Sequence, residues 1–327
     1  MQKNILVTGG AGFIGSHLTD MLLEQGHSVT VIDDLSTGSV KNLSSVRSNP
    51  RLNFVVDSIM NVRLMSELID WCDHVYHFAA AVGVRLILDK PVQTIETNIR
   101  GTEIVLSLAA KKQRKVLITS TSEVYGKGAK VPFCEDDDLV LGATIKPRWG
   151  YACSKAIDEF LALAYWREHR VPVVIVRLFN TVGPRQTGRY GMVIPRFAEQ
   201  ALKNEDITVY GDGYQTRSFA HVHDVIGALN SLMNTPTAVG QVFNVGNDTE
   251  LSIMELAQLV KAQTQSQSEI RCIPFEKAYD ENFEDLLRRV PSLEKLKRVI
   301  DYAPKYSIND IVSQVVDHTR REMESNG

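Results

Sequence analysis

A tyrosine and a lysine four residues apart, in Tyr151-Ala-Cys-Ser-Lys155, are the side chains of this sequence best suited to moving a proton. That spacing puts both on one face of a helix, where they can meet the same ligand. A free phenol ionises at about pH 10 and is a weak base at neutral pH, but a nearby ammonium and an oxidised nicotinamide both favour the phenolate. Tyr151 could then take the proton of a hydroxyl while a hydride leaves the same carbon for an oxidised cofactor. Lys155 would also hold the nicotinamide ribose.

The spacing acquires meaning from a run far upstream, Ile5-Leu-Val-Thr-Gly9-Gly10-Ala-Gly12-Phe13-Ile14-Gly15. Gly10, Gly12 and Gly15 follow a strand and open a helix, where glycine permits a tight turn, close approach to a pyrophosphate and tight helix packing. Gly9 extends the run, and the free N–H groups at the helix start, around Phe13 and Ile14, receive the phosphate charge. Asp33 ends the second strand, where a carboxylate accepts the adenosine ribose hydroxyls and repels a 2′-phosphate, so NAD is favoured over NADP. Asp34 is left to the loop. Asp57, after the third strand, is placed to touch the adenine amino group, and Ala79, in Phe78-Ala79-Ala80-Ala81, lets a cofactor lie close to the sheet edge.

Ser120-Thr121-Ser122-Glu123-Val124-Tyr125-Gly126 follows the fifth strand, again at the carboxyl edge where open α/β sheets place their sites. Thr121 can donate a hydrogen bond to the oxygen being oxidised. Glu123 is costly beside a cofactor unless it has a task or a partner. His221-Val-His223-Asp224 lacks a third ligand nearby and reads as a helix start capped by Asp224, so no metal is expected. Cys153 is expected to pack as a small apolar residue, and Trp149 to shape either the sugar pocket or the core.

These residues need a scaffold, and the apolar patterning supplies one. Val- and Ile-rich runs at Asn4 to Val7, Ser28 to Ile32, Phe54 to Val56, His74 to Phe78, Val116 to Ile118 and Val173 to Leu178 alternate with helical patterns. Continuously apolar strands separated by helices imply a parallel sheet covered on both faces. The expected fold is α/β: a Rossmann doubly wound parallel sheet with a smaller, interleaved C-terminal substrate-binding domain. The expected division is 1–180 for NAD binding, with a segment near 218–250 returning to the sheet through Gln241 to Val245, and 181–327 for the substrate. An amphipathic helix is expected over Ile308 to Met323.

At 327 residues the chain can bury a large core, while a net charge of -3 and a pI near 6.3 offer no basic surface for nucleic acid or an anionic membrane. The four cysteines, Cys72, Cys134, Cys153 and Cys272, are far apart with no zinc spacing, as in a reduced cytoplasmic protein. No apolar run reaches membrane-spanning length. A small-molecule substrate is expected.

Taken together, Thr8 to Gly15, Asp33-Asp-Leu-Ser-Thr-Gly38, Ser120 to Gly126, Tyr151 to Lys155, Arg177-Leu-Phe-Asn-Thr-Val-Gly-Pro184 and Arg288-Arg-Val-Pro291 resemble the extended short-chain dehydrogenase/reductase family of nucleotide-sugar enzymes, over nearly the whole length. The resemblance implies a homodimer joined through the helices at Ile95 to Ala110 and Tyr151 to Tyr165. It also implies a UDP-sugar held by Asn180, Arg185, Tyr210, Arg217 and Arg289, of which Asn180 and Arg217 would serve the diphosphate and Tyr210 the base.

Such enzymes oxidise a sugar hydroxyl, usually at C4, and differ in the next step. The 4,6-dehydratases carry Thr-Asp-Glu where this chain has Thr121-Ser122-Glu123, and a serine is too weak an acid to expel a C6 hydroxyl. Thr-Ser-Glu resembles the UDP-glucuronate decarboxylases, as does Lys146-Pro-Arg-Trp149. There Arg289 and Glu123 would orient the carboxylate and manage the returning proton. The alternative is a 4-epimerase, needing only Thr121, Tyr151, Lys155 and space, towards which Gly188 to Arg196 and Phe283 to Pro291 lean. A non-catalytic NAD sensor is a third reading, against which the presence of both Tyr151 and Lys155 counts. Decarboxylation is favoured because an epimerase gives Glu123 no task.

Overall fold

The fold is that of a computed structural model, which describes residues 1–83, 89–188, 192–275 and 288–326. Parts of two stretches read above as epimerase-like, at 189–191 and 283–287, lie outside the described residues.

Six runs of the expected pattern form strands of one parallel sheet: β1 (Asn4–Thr8), β2 (Ser28–Asp33), β3 (Leu52–Val56), β4 (His74–His77), β5 (Lys115–Thr121) and β6 (Val173–Leu178). Gln241–Val245 returns to the sheet beside β6, giving the spatial order 3-2-1-4-5-6 with the returning strand outermost. The chain reverses direction across the sheet between β1 and β4, the crevice where doubly wound folds bind ligands.

Alternation within each strand divides the core into two. Ile5, Val7, Val29, Val31, Leu117, Val174 and Val176 face helices α1 (Phe13–Glu24) and Val222–Asn234, which contribute Leu18, Leu22, Val225 and Leu229. Leu6, Ile32, Val116, Ile118, Val173 and Ile175 face the other side, covered by α2 (Val62–Trp71), α3 (Pro91–Lys112) and α4 (Arg148–His169). Both faces being buried is why these strands read as unbroken apolar runs.

Register fixes what emerges at the carboxyl edge. Thr8 lies opposite both Ile32 and His77, and His77 opposite Ile118, so the glycine turn, Asp33 and Phe78 leave the sheet at one level. β5 runs further: Thr119, Ser120 and Thr121 pair only with β6 and overhang β4.

A separate apolar cluster joins helices Val193–Leu202, Ile253–Thr264 and Ile308–Asn326 to the strands Ile207–Tyr210 and Ile270–Ile273. Between the two cores, Thr216–Ser218 is flanked by Glu250–Ser252 and by Arg288–Arg289, in a register that sets Arg289 opposite Arg217.

Two expectations are corrected. The helix Val222–Asn234 is capped by His221, whose Nδ1 accepts the His223 N–H at 3.1 Å, and not by Asp224. Asp224 instead accepts the backbone N–H groups of Lys305 and Tyr306, tying the chain after 301 to this helix. Cys153 does not pack inside: it is exposed on the outer side of α4. No helix among the described residues is long and apolar enough to cross a membrane.

Burial lowers His17 and His77 to about 3 and His221 to about 4, against about 6.5 for a free imidazole. Between those values the unfolded chain binds more protons than the folded one, so these groups remove stability as pH falls from about 6.5 towards 4. Asp33 and Asp158, raised by burial, act in the opposite direction. Urea midpoints measured from pH 7.5 to pH 4.5 should therefore vary less steeply in His77→Gln than in the parent; an equal slope would mean that His77 is not held neutral.

Candidate active site

Gly9 sits at φ +71°, open to glycine at little cost, and a Cβ there would lie 2.7 Å from the Ala79 nitrogen. A Cβ on Gly15 would strike the Gly9 carbonyl oxygen. The turn is thus pressed between Ala79 and the first turn of α1. α1 begins at Phe13 after Gly12, with no side chain capping it, so its first N–H groups are available to an anion.

Asp33 is buried at the end of β2, accepting the N–H of Ala11 and of Leu35 at 2.9 Å each. Burial raises its carboxyl, and those backbone donors oppose the rise. Its carboxylate retains lone pairs for a ribose diol. Asp34 closes a local turn through Ser36, and Asp57 bonds to the Ser58 N–H and to Asn61.

These residues line one side of a cavity of about 820 Å³. Its far side is built from the second lobe, where Asn180 joins Arg217, Tyr210 and Arg289. Arg185 also lines the cavity, but its guanidinium reaches back to Asp20 at 2.7 Å and Ser16 at 3.2 Å on α1, on the side of the glycine turn. The sequence reading placed it with the sugar.

Thr121, Ser122, Glu123, Tyr151 and Lys155 meet on the wall between the two sides. Thr121, at the tip of the β5 overhang, accepts the Glu123 N–H at 3.2 Å and has its side chain in reach of the Tyr151 hydroxyl. Ser122 is buried behind them. Tyr151 is held through its carbonyl, which accepts from Ser154; Asn98 bonds to Ser154 and to the Ala81 N–H. That chain ties α4 to α3 and to the alanine segment.

The electrostatics differ from the sequence expectation. Tyr151 is pushed up, not down: burial is the main cause and the Glu123 carboxylate adds to it. Lys155 directs its charge to Asp158, 2.6 Å away.

Glu123 is the most constrained charge in the cavity. Arg148 donates to its Oε2 from Nη2 at 2.8 Å and Nε at 3.2 Å, and Arg289 pairs with its Oε1. Burial would raise the carboxyl, but the Arg289 and Arg148 guanidiniums prevail and hold it at about 2. Arg289 also donates to Asn180 Oδ1 at 2.9 Å, and Asn180 to the Ser218 carbonyl at 2.8 Å.

Arg148, not chosen from the sequence, is the first residue of α4, where a cation opposes the helix dipole. Its place is secured by Glu123 and by the ring of Trp149, 5.7 Å from its guanidinium carbon. Trp149 is buried, Gly142 leaving room for its indole, so it supports Arg148 and does not line the cavity. Arg196 was also passed over: its guanidinium stacks 3.9 Å from the centre of the Tyr210 ring and it lines the cavity. The signal for both lay in segments already noted, Lys146 to Trp149 and Gly188 to Arg196, where an arginine could have been asked what it balances.

Residues 6–315 match the family described as GDP-mannose 4,6 dehydratase. The chain belongs to this family of NAD-dependent epimerases and dehydratases. Family membership settles the cofactor as NAD, and the glycine cradle and Asp33 fit it. A UDP-N-acetyl-alpha-D-glucosaminuronate decarboxylase of Bacillus cytotoxicus is 44% identical over 94% of each chain. UDP-glucuronic acid decarboxylase 1 of Danio rerio is 36% identical over 99% of this chain and 74% of its own. Among solved structures, a UDP-glucuronic acid 4-epimerase of Bacillus cereus, in complex with UDP-glucuronic acid and NAD, superposes with a TM-score of 0.88 at 28% identity, covering 98% of this chain and 99% of that one.

Tyr151→Phe should lower turnover by a thousandfold or more (roughly 4 kcal/mol) with NAD affinity within a few-fold of the parent, checked by calorimetry and single-turnover assay. Gly15→Ala should show the converse, weakened NAD binding measured by the same titration.

Proposed function

We propose that this chain is an NAD-dependent decarboxylase of a UDP-linked hexuronate, converting UDP-glucuronate to UDP-xylose. The observation that carries the reading is Glu123 shared by Arg148 and Arg289 beside Tyr151 and Thr121. Two guanidiniums against one carboxylate leave a surplus positive charge, which suits an anionic C6 on a sugar whose C4 lies at Tyr151.

On this reading Gly9, Gly12, Phe13, Ile14, Gly15, Asp33, Asp57, Ala79 and Lys155 hold the cofactor. NAD, when bound, accepts the C4 hydride and later returns it. Tyr151 takes the C4 hydroxyl proton while Thr121 donates to that oxygen. The C5–C6 bond then breaks, carbon dioxide leaves, and its electron pair is held as the enolate of the C4 ketone. C5 takes up a proton from solvent, and Tyr151 finally returns its own to the C4 oxygen. No acid is needed at C6, which accords with Ser122, too weak an acid to expel a hydroxyl.

Glu123, fixed as a carboxylate, serves on this reading to align Arg148 and Arg289 with the substrate and to stay ionised near C5. Asn180, Arg217 and Tyr210, with Arg196, take the diphosphate and the base, and the lobe from 181 onward would be the nucleotide-sugar domain. The names of the two decarboxylase relatives support the reaction. A 4-epimerase would use the same Thr121, Tyr151 and Lys155, but leaves Glu123 without a task. The Bacillus cytotoxicus relative favours a second reading of the substrate alone, with an acetamido group at C2.

We place the enzyme in the cytoplasm, consistent with its four free cysteines, and as a homodimer. α3 and α4 expose Val92, Ile95, Ile157 and Phe160, at 67%, 38%, 40% and 69%, along adjacent stripes that a second copy would cover.

UDP-glucuronate labelled at C6, incubated with enzyme and NAD, should release labelled carbon dioxide and leave UDP-xylose; UDP-galacturonate without gas would overturn the reading in favour of epimerisation. Running the 2-acetamido analogue alongside decides the C2 preference by kcat/KM. Arg148→Ala should reduce kcat/KM for gas release about a hundredfold (roughly 2.7 kcal/mol). Phe160→Glu should shift the mass measured by light scattering from dimer to monomer.

A further inference from the structure

Lys155 leaves 4% of its side chain exposed and Asp158 none, and the pair is closed at 2.6 Å by residues one helical turn apart. The other carboxylate on this part of the wall, Glu123, is already shared by Arg148 and Arg289. A buried ammonium that lines the cavity and faces the site of a positively charged nicotinamide requires a counter-charge. Without one, buried lysines surrender their proton at a pH of about 5–6.

Asp158 is itself braced. The Thr102 hydroxyl stabilises its carboxylate and lies 3.2 Å from His77 Nε2. His77 Nδ1 lies 2.8 Å from Thr8 Oγ1, which accepts the Ala79 N–H at 3.2 Å. Thr8, His77, Thr102 and Asp158 are all buried, and they run from the last residue of β1, through β4 and α3, to α4. His77 is kept neutral, chiefly by burial and then by the Lys155 charge, so the chain brings no second cation towards Asp158. Oδ1 of Asp158 has no hydrogen-bond partner among the described residues, a cost that surface ion pairs do not carry. A pair made only for helix stability would sit more cheaply in solvent.

We propose that Asp158 is a positioning residue, the counter-ion that holds Lys155 as an ammonium beside Tyr151, and that Thr102, His77 and Thr8 fix its carboxylate in place. A neutral amine at 155 would no longer favour the Tyr151 phenolate, and the base would weaken. The inference rests on Tyr151 acting as the base and holds whether the sugar loses carbon dioxide or is epimerised.

Asp158→Asn separates this role from a structural one, in a folded full-length protein checked by circular dichroism. Cyanate adds across the N–H of a neutral amine but not of an ammonium, and carbamylation of Lys155 is read by peptide mass without substrate or turnover. At pH 7 Lys155 should react about tenfold faster in the variant, and although losing the Asp158 carboxylate by itself lowers Tyr151, the acid limb of kcat/KM should move up by about one pH unit as the Lys155 charge is lost. An unchanged carbamylation rate, or a profile that loses height without moving, overturns the proposal. Should the variant not fold, Thr102→Val should give smaller changes of the same sign in both measurements, and no change in either has the same overturning force.

Discussion

A carboxylate withdrawn from water between two guanidiniums is the constraint around which the cavity is arranged. Glu123 could not stand ionised on that wall alone, since burial works against the charge. Its partners come from far apart: Arg148 from the start of α4 and Arg289 from the strand beside Arg217. Each is poorly placed for any purpose but this. Arg148 faces the wrong end of a helix dipole, and Arg289 has a buried Nε with no partner among the described residues. Buried ion clusters of this sort add little net stability, so their persistence is better accounted for by the ligand they arrange.

The same charge has an effect on the base. Tyr151 is raised first by burial and then by Glu123, so the carboxylate that organises the arginines also keeps the phenol protonated. Burial and a neighbouring anion make a good acid at rest, and ionisation of the phenol depends on positive charge brought close. Arg289 already supplies some of it, and on the proposed reading Lys155 and the nicotinamide supply the rest, which makes the balance of Lys155 by Asp158 as consequential as its distance from the tyrosine. A site that must both take and return one proton benefits from a base whose strength follows its cations.

The sheet was legible because its physics is local. Burial on both faces makes each strand a continuous apolar run, and the glycine turn is dictated by contacts within a few residues, such as Gly15 against Gly9. The cavity wall was legible in residue types but not in partners. Glu123 could be seen to need a cation, yet Arg148, 25 residues on in sequence, was not distinguishable from a surface arginine. The Asp158 spacing was in plain view, three after Lys155, but a carboxylate on a helix is ordinarily a solvated one. Asp224 failed as a cap for a related reason: residues 305 and 306, remote in sequence, claimed its oxygens first, and His221 filled the vacancy.

The second lobe explains why so long a chain is needed for so small a reacting centre. Arg289 reaches Glu123 only because its short strand pairs in parallel with Thr216–Ser218, which is fixed on its other edge by Glu250–Ser252. Asn180, leaving β6, then joins the two lobes by holding Arg289 with one side-chain atom and the Ser218 carbonyl with another. The Rossmann half therefore supplies Tyr151, Thr121 and Glu123, while the second half supplies the cation that completes the carboxylate's surroundings. Any shift of that three-stranded element relative to the β5 overhang would change the Glu123–Arg289 contact before it touched Tyr151. On the proposed reading, a substrate held by Arg217 and Asn180 would act on the same element, so binding energy from the diphosphate would be spent at the charged end of the sugar, as expected when remote contacts position a reacting group.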